Sequence, residues 1–235
     1  MNKDEAYKLM DCLGRLTHDP VAWVYFAFDW DNDPELKGQK PQKWQLEQLE
    51  RIAKGLETPD AVIRQAVSSG HGIGKSTTVA WLILWAISTH PDTRGVVTAN
   101  TEAQLRTKTW AELAKWHRKF IGKELFTYTA TAIFSIEAEH ERTWRIDAIP
   151  WSVTNTEAFA GLHNQGRRIL IIFDEASAID DRIWEVAEGA LTDKNTEIIW
   201  CCYGNPTRNV GRFHACFTKY RNYWDTKKID SRDVA

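Results

Sequence analysis

The sequence has few cysteines, no basic excess, no internal repeat and no apolar run long enough to cross a bilayer. Each absence excludes a class. The four cysteines, Cys12, Cys201, Cys202 and Cys216, form no CxxC pair and no zinc-finger spacing, which removes small disulfide scaffolds and zinc modules. Cys201 and Cys202 stand in an apolar run, where buried reduced thiols are expected, and the redox compartment expected from this usage is cytosolic. Thirty Lys and Arg against 32 Asp and Glu leave a formal net charge of -2. A protein that coats DNA on its own needs a basic excess to neutralise phosphates, so only a local patch is open to nucleic acid. The longest apolar stretch, Val79 to Ile87, is too short for a membrane span. The charged start Met1-Asn2-Lys3-Asp4-Glu5 lacks the apolar region of a signal peptide, so none is expected.

What is present is an ordinary globular composition, 43% hydrophobic and 26% charged, in a 235-residue chain that can bury one substantial core. The twelve tryptophans are scattered and read as core or interface residues. Residues 1–30 have helical spacing, with Leu9, Leu13 and Leu16 on one face, and Asp29 to Lys40 is polar and loop-like. A second amphipathic helix is predicted from Lys43 to about Leu56. From Ala61 the pattern alternates. Strands are predicted at Ala61–Ser68, Gly95–Ala99, Arg168–Phe173 and Glu197–Tyr203, and helices at Lys75–Thr89, Thr101–Phe120 and Ile183–Leu191. Ala132–Ala138 and Thr143–Ala148 read as a hairpin, and Trp151–Thr154 as another short strand. Alternation of this kind predicts an α/β domain with a mainly parallel central sheet flanked by helices, preceded by an N-terminal helical segment.

Ser69-Gly70-His71-Gly72-Ile73-Gly74-Lys75-Ser76-Thr77 fits the P-loop pattern GxxxxGK[ST], with Ser69 in place of the first glycine. An apolar strand enters it and a helix leaves it. The three glycines let the backbone turn tightly and aim N–H groups at phosphate oxygens, at a helix N-terminus that already favours anions. Lys75 can reach the β- and γ-phosphates, and Ser76 is placed to ligate Mg²⁺. A glycine-rich turn with an incidental lysine is the bland alternative; the strand–loop–helix context weighs against it.

A second signal is the apolar strand that ends in Asp174-Glu175. Two adjacent acids at a sheet terminus need a cation or a solvent channel. Asp174 suits support of Mg²⁺, and Glu175 can act as general base on the attacking water. Alone, such a pair could be an acidic helix start. The long interval between loop and acids holds at least one complete strand–helix unit, which places the chain nearer translocases and helicases than compact nucleoside kinases. Trp44-Gln45, on the helix before the first core strand, offers a ring and an amide for an adenine base. Gly204-Asn205-Pro206-Thr207 follows a buried strand, where a polar side chain could sense the γ-phosphate; a simple strand-ending turn explains it equally well.

Together these elements resemble the large terminase subunits of tailed bacteriophages, the motors that pump genomic DNA into a procapsid. The resemblance runs from about Trp44 onwards. It rests on Trp44-Gln45 as adenine motif, Ser69–Thr77 as Walker A, Ile169–Glu175 as Walker B, Ala158-Phe159-Ala160-Gly161-Leu162-His163 before it, and Gly204–Thr207 as coupling motif. It implies a P-loop NTPase of the ASCE type with ATP and Mg²⁺ as cofactors. Implied partners are double-stranded DNA, a portal protein and a small terminase subunit, in a homo-oligomeric ring in the bacterial cytoplasm. Residues 1–58 would be the helical segment with the adenine motif, 59–220 the ATPase core, and 221–235 the start of a linker. Two departures are evident. His71 stands in the loop where many relatives carry arginine, and the residues after Thr207 are too few for the nuclease that usually follows. A catalytic arginine should still exist, with Arg106, Arg142, Arg145, Arg167 and Arg208 as candidates. Lys108, Lys115 and Lys119 form a basic stripe that is either a DNA contact or a solvated face. A helicase-like translocase that unwinds DNA and a nucleotide-switched assembly module are the alternative functions.

Overall fold

The computed structural model describes residues 1–154 and 156–234; Asn155 and Ala235, the last residue of the expected linker, lie outside the described residues. The chain opens on helix α1 (Lys3–Gly14), whose start is fixed by a capping box between Asn2 and Glu5. The helical stretch expected over residues 1–30 is divided in two. Asp19 accepts from the Ala22 N–H and Pro20 occupies the first turn, so a new helix, α2 (Pro20–Ala27), begins there. After the loop comes α3 (Lys43–Leu56).

The core then alternates. Strand β1 (Val62–Ser69) feeds α4 (Lys75–Thr89), and β2 (Arg94–Thr98) is followed by α5 (Glu102–Gln104). The helix continues through a π-helical turn at Leu105–Trp110 into α6 (Ala111–Lys119). Thr101 caps it as predicted, accepting from the Gln104 N–H. An antiparallel group, β3 (Phe126–Tyr128), β4 (Ala132–Ser135) and β5 (Arg145–Ala148), precedes the short α7 (Glu157–Ala160). Then come β6 (Arg168–Phe173), α8 (Asp181–Gly189), β7 (Glu197–Gly204), α9 (Arg212–Cys216) and β8 (Asp225–Ile229).

The eight strands form one sheet in the order β3-β4-β5-β2-β6-β7-β1-β8. All pairs from β5 to β8 are parallel, and only β3–β4 and β4–β5 run antiparallel. Strand β7 lies between β1 and β6, so the strand leading to the P-loop and the strand ending in the acids are not neighbours. That insertion is the ASCE arrangement of the P-loop fold. Ligands of open parallel sheets bind beyond the carboxyl ends of the strands, where the loop, the acids and Asn205 all lie.

Helix α4 is apolar nearly all round because it is covered all round: the sheet lies on one side and α1, α2 and α6 on the other. The opposite face of the sheet packs Trp184 and Trp200 against Phe173, and Trp224 against those two tryptophans, with ring centroids 5.0–5.8 Å apart. Much of the tryptophan excess is therefore core. At the far end of the strands Arg168, fully buried, clamps three layers. Its guanidinium donates to Glu197 at 2.7 Å, Thr89 Oγ1 at 2.8 Å and the Thr17 carbonyl at 2.9 Å, and stacks 4.4 Å from the Trp85 ring centre.

The structure departs from the expected elements at three further places. Trp151–Thr154 is a turn, with no strand ladder. Phe126–Tyr128 adds a strand whose three residues are too few to carry a period. Asp225–Ile229, in the stretch assigned to a linker, forms the edge strand β8, parallel to β1. Its sequence Asp-Thr-Lys-Lys-Ile is polar, as an edge strand tolerates, so it carried no apolar signal. Among the described residues no helix is long and apolar enough to cross a membrane.

Candidate functional site

The phosphate loop is shaped by its glycines. Gly72 and Gly74 hold φ of 77° and 85°, a region that costs a side chain strain, and Gly74 is the residue that opens α4. Ile73 anchors the loop tip in the core, while His71 is exposed. Lys75 is only 8% exposed. Its Nζ donates to Gly70 O at 2.7 Å, Ser69 Oγ at 3.1 Å and Ser69 O at 3.2 Å, and to Asn205 Oδ1 at 2.8 Å. Burial lowers its pKa from the ordinary lysine value, and the charges of Glu175 and Asp174 oppose that shift. Lysine and both acids thus share one electrostatic site. Ser76 is half-buried at the start of α4, and Thr77 donates to Glu112 Oε1 at 2.9 Å.

The end of β6 supplies the acids. Asp174 is 4% exposed, its N–H bonded to Thr98 O at the end of β2. Its two carboxylate oxygens accept from Thr109 Oγ1 at 2.6 Å and from the Glu175 N–H at 3.0 Å. Burial raises the Asp174 pKa, the Thr109 hydrogen bond counters it, and the Glu175 charge adds to it. Glu175 adopts left-handed backbone (φ 50°, ψ 42°), an uncommon state for a non-glycine residue that costs about 1–3 kcal/mol and clusters at active sites.

From β7 comes Asn205, buried, which bridges the loop. Its Oδ1 accepts from Lys75, and its Nδ2 lies 2.8 Å from His71 Nε2. Gly204 has to be small, because a Cβ there would lie 2.9 Å from the Phe213 ring. Pro206 and Thr207 are exposed, with Thr207 Oγ1 3.3 Å from Ser177 Oγ.

Trp44 and Gln45 brace the loop from outside. Trp44 Nε1 donates to Ile73 O at 3.1 Å; Gln45 Nε2 donates to Gly74 O at 3.2 Å and Thr78 Oγ1 at 2.9 Å. Gln45 Oε1 accepts from the Gln42 N–H at 2.8 Å, so both ends of its amide are used within the protein. Beside Trp44 opens a cavity of about 490 Å³, walled by Lys43, Glu47, Lys227, Ile229 and Val234. Ser231, from the same C-terminal segment, reaches the loop at Gly70.

The donor set suits a hard cation. Ser76 and Asp174 offer oxygen only, and among the described residues no cluster of three or more His, Cys, Asp or Glu could form an all-protein cage. One or two protein oxygens completed by substrate phosphates is how Mg²⁺ is held at such sites, so the residues fit it.

Other expected residues lie elsewhere. Gly161 and His163 sit by the start of β2, where Arg94 donates to His163 O at 3.1 Å and His163 pairs with Asp193 at 2.9 Å; they add no group to the loop. Arg106 donates to Ala130 O at 2.6 Å, Arg145 pairs with Asp147 at 2.7 Å, and Arg167 lies 4.0 Å from Asp92. Arg142 and Arg208 are exposed. Lys119 is held by Asp33 at 2.9 Å and Glu35 at 3.1 Å, which takes it out of the basic stripe.

Thr109 and Glu112 were not anticipated. Thr109 falls four residues after Leu105 and four before Leu113, a lone hydroxyl on the buried face of its helix. That polar interruption was the available signal.

No protein-family model matches the chain. A protein named "Probable terminase, large subunit" from Enterobacteria phage P7 is 28% identical over 199 residues, covering 80% of this chain and 37% of its own length. A large terminase from a thermophilic bacteriophage, solved in complex with ADP, superposes with a TM-score of 0.58 at 13% identity, over 82% of this chain and 46% of that one. The Thermus phage P74-26 large terminase ATPase domain gives 0.56 at 18% identity, over 85% of each. The chain therefore spans less than half the length of the first two of these proteins. It is similar in sequence to a large terminase subunit and in fold to a large terminase ATPase domain.

Proposed function

We propose that this chain is the ATPase domain of a phage large terminase, hydrolysing ATP with Mg²⁺ to drive double-stranded DNA into a procapsid. The observation that carries the reading is the meeting of Lys75, Asn205, Asp174 and Glu175, from the ends of three strands, around one glycine-rich loop. Loop N–H groups and the α4 N-terminus receive the phosphates. Lys75 exchanges its carbonyl partners for β- and γ-phosphate oxygens. Ser76 and Asp174 would hold Mg²⁺, which would supply neutralising charge to the transferring phosphoryl group. Glu175 accepts a proton from the attacking water. The cavity beside Trp44 suits the base, and Trp44, which lines it, also donates to the loop at Ile73.

The stabilising cation of the transition state comes from an arginine of a neighbouring subunit in a ring, because His71 occupies the loop position and no candidate arginine contacts the phosphate loop among the described residues. The portal, the small terminase subunit and the host cytoplasm complete this proposal, and no nuclease activity is assigned to these residues. Lys75→Ala tests it: calorimetry should show nucleotide affinity lost while the thermal midpoint is retained, and equal affinity in the variant would place the nucleotide elsewhere. DNA-stimulated hydrolysis without strand displacement separates this function from a helicase.

A further inference from the structure

Among the described residues, the hydroxyl of Thr109 is the one side-chain group hydrogen-bonded to the Asp174 carboxylate, at 2.6 Å, and Thr109 is 1% exposed. It arrives from an irregularity. Leu105–Trp110 is a π-helical turn inside an otherwise α-helical segment, a feature that recurs at functional sites. Two successive side chains of this turn are buried. Thr109 meets Asp174, while Trp110 donates from Nε1 to Thr129 O at 2.8 Å and stacks on Tyr128 with centroids 6.0 Å apart. Tyr128 in turn donates to Trp110 O at 2.9 Å, fixing the turn from outside. One helical turn on, Glu112 accepts from Thr77 of the phosphate loop and from Trp116 Nε1 at 2.8 Å. A single helix thus grips both motifs, the loop through Glu112 and the acid strand through Thr109.

We infer that Thr109 is a positioning residue for the metal site: its hydroxyl fixes the orientation in which the Asp174 carboxylate is presented to the divalent cation. A carboxylate free to rotate in a buried site would have one oxygen unsatisfied, and either orientation could win. Donation by Thr109 to one oxygen and by the Glu175 N–H to the other holds the plane and leaves the remaining lone pairs for the metal. Groups that orient a ligand in this way typically control metal affinity by about 10- to 100-fold. The inference rests on the nucleotide site proposed above, and it adds a residue that no P-loop motif contains.

The test compares Thr109→Val, which keeps the shape and removes the donor, with Thr109→Ser, which keeps the donor. ADP binding is measured by calorimetry with excess EDTA and then across a Mg²⁺ titration, and Mn²⁺ binding to the ADP complex is followed by electron paramagnetic resonance. Expected for Thr109→Val is wild-type affinity for ADP in EDTA, with the Mg²⁺ and Mn²⁺ midpoints raised about tenfold or more. Thr109→Ser should restore both midpoints. A merely structural threonine would move the thermal midpoint or the EDTA affinity and leave the metal midpoints in place. Unchanged metal midpoints in Thr109→Val, or no recovery in Thr109→Ser, would overturn the inference. If Thr109→Val does not fold, Thr109→Ala against Thr109→Ser gives the same comparison. Failure of the wild-type chain to bind ADP at all would sink the nucleotide site itself, and that outcome is separate from a metal titration insensitive to Thr109.

Discussion

Asn205 is where β7, inserted between β1 and β6, meets the proposed nucleotide site, and its replacement by alanine and by aspartate should have opposite signatures. The side chain accepts one hydrogen bond from the Lys75 ammonium at 2.8 Å and lies at the same distance from His71 Nε2. A hydrogen bond to a charged group is worth about 1.5–3 kcal/mol net. At about 1.4 kcal/mol per factor of ten, that is roughly 10- to 150-fold. Alanine leaves Lys75 three other acceptors, Ser69 O, Ser69 Oγ and Gly70 O, so the lysine stays solvated by the loop and can still receive phosphate. Nucleotide affinity should therefore change by no more than a few-fold. What is lost is the link that holds lysine and histidine at fixed positions against the end of β7. Turnover should fall by about tenfold or more.

The substitution Asn205→Asp is the informative partner. It puts a carboxylate where the amide oxygen now sits, pairs with the ammonium more strongly than an amide does, and opposes incoming phosphate charge. Its main effect should be on affinity, weakened on the order of tenfold, since the competitor is now charged. Steady-state hydrolysis gives kcat and KM, and calorimetry with a non-hydrolysable analogue gives Kd. Wild-type turnover in Asn205→Ala, or equal Kd shifts in the two variants, would refute the reasoning.

Two further outcomes are expected. Glu175→Gln keeps shape and removes the proton acceptor, so nucleotide binding should persist while hydrolysis falls by at least about 10²-fold, checked by single-turnover release of phosphate. Arg168→Ala should lower unfolding free energy by about 3–5 kcal/mol in urea melts, because Glu197 and the Thr17 and Thr89 acceptors of a fully buried clamp lose their partner. Nucleotide affinity should be unmoved in that variant, because the clamp sits at the opposite ends of the strands.

The parts legible in the sequence are those whose physics is local. The alternation of apolar runs announced β1, β2, β6 and β7, each buried on both faces. The loop glycines and Lys75 lie within one turn, and the acids directly follow their strand. The order of the strands is different: that Asn205 returns to Lys75 depends on β7 being inserted beside β1, across 130 residues of chain. Gln45 shows the limit in another way. Its amide was read as a partner for an adenine base, but that amide is bonded to Gly74, Thr78 and Gln42, contacts that only the packing of α3 against the loop creates. Strand β8 was hidden because an edge strand needs backbone pairing and little apolar surface.

The residues that do the proposed chemistry are also those that break local rules. Lys75 and Asp174 are buried charges whose ionised forms burial disfavours, and each is supported by the other's charge. Glu175 holds a backbone conformation more often taken by glycine, asparagine or aspartate. The helix that carries Thr109 departs from regular hydrogen bonding at the turn that faces Asp174. All four meet at one end of the sheet. The opposite end has the reverse character: Arg168 is buried too, but Glu197, Thr89, Thr17 and the Trp85 face satisfy it on every side. A buried charge with its partners complete is architecture; one that keeps lone pairs for a ligand, as the singly bonded oxygens of Asp174 do, marks a site. By that criterion the proposed site lies at the loop end of the sheet, and the Arg168 end secures the strands that present it.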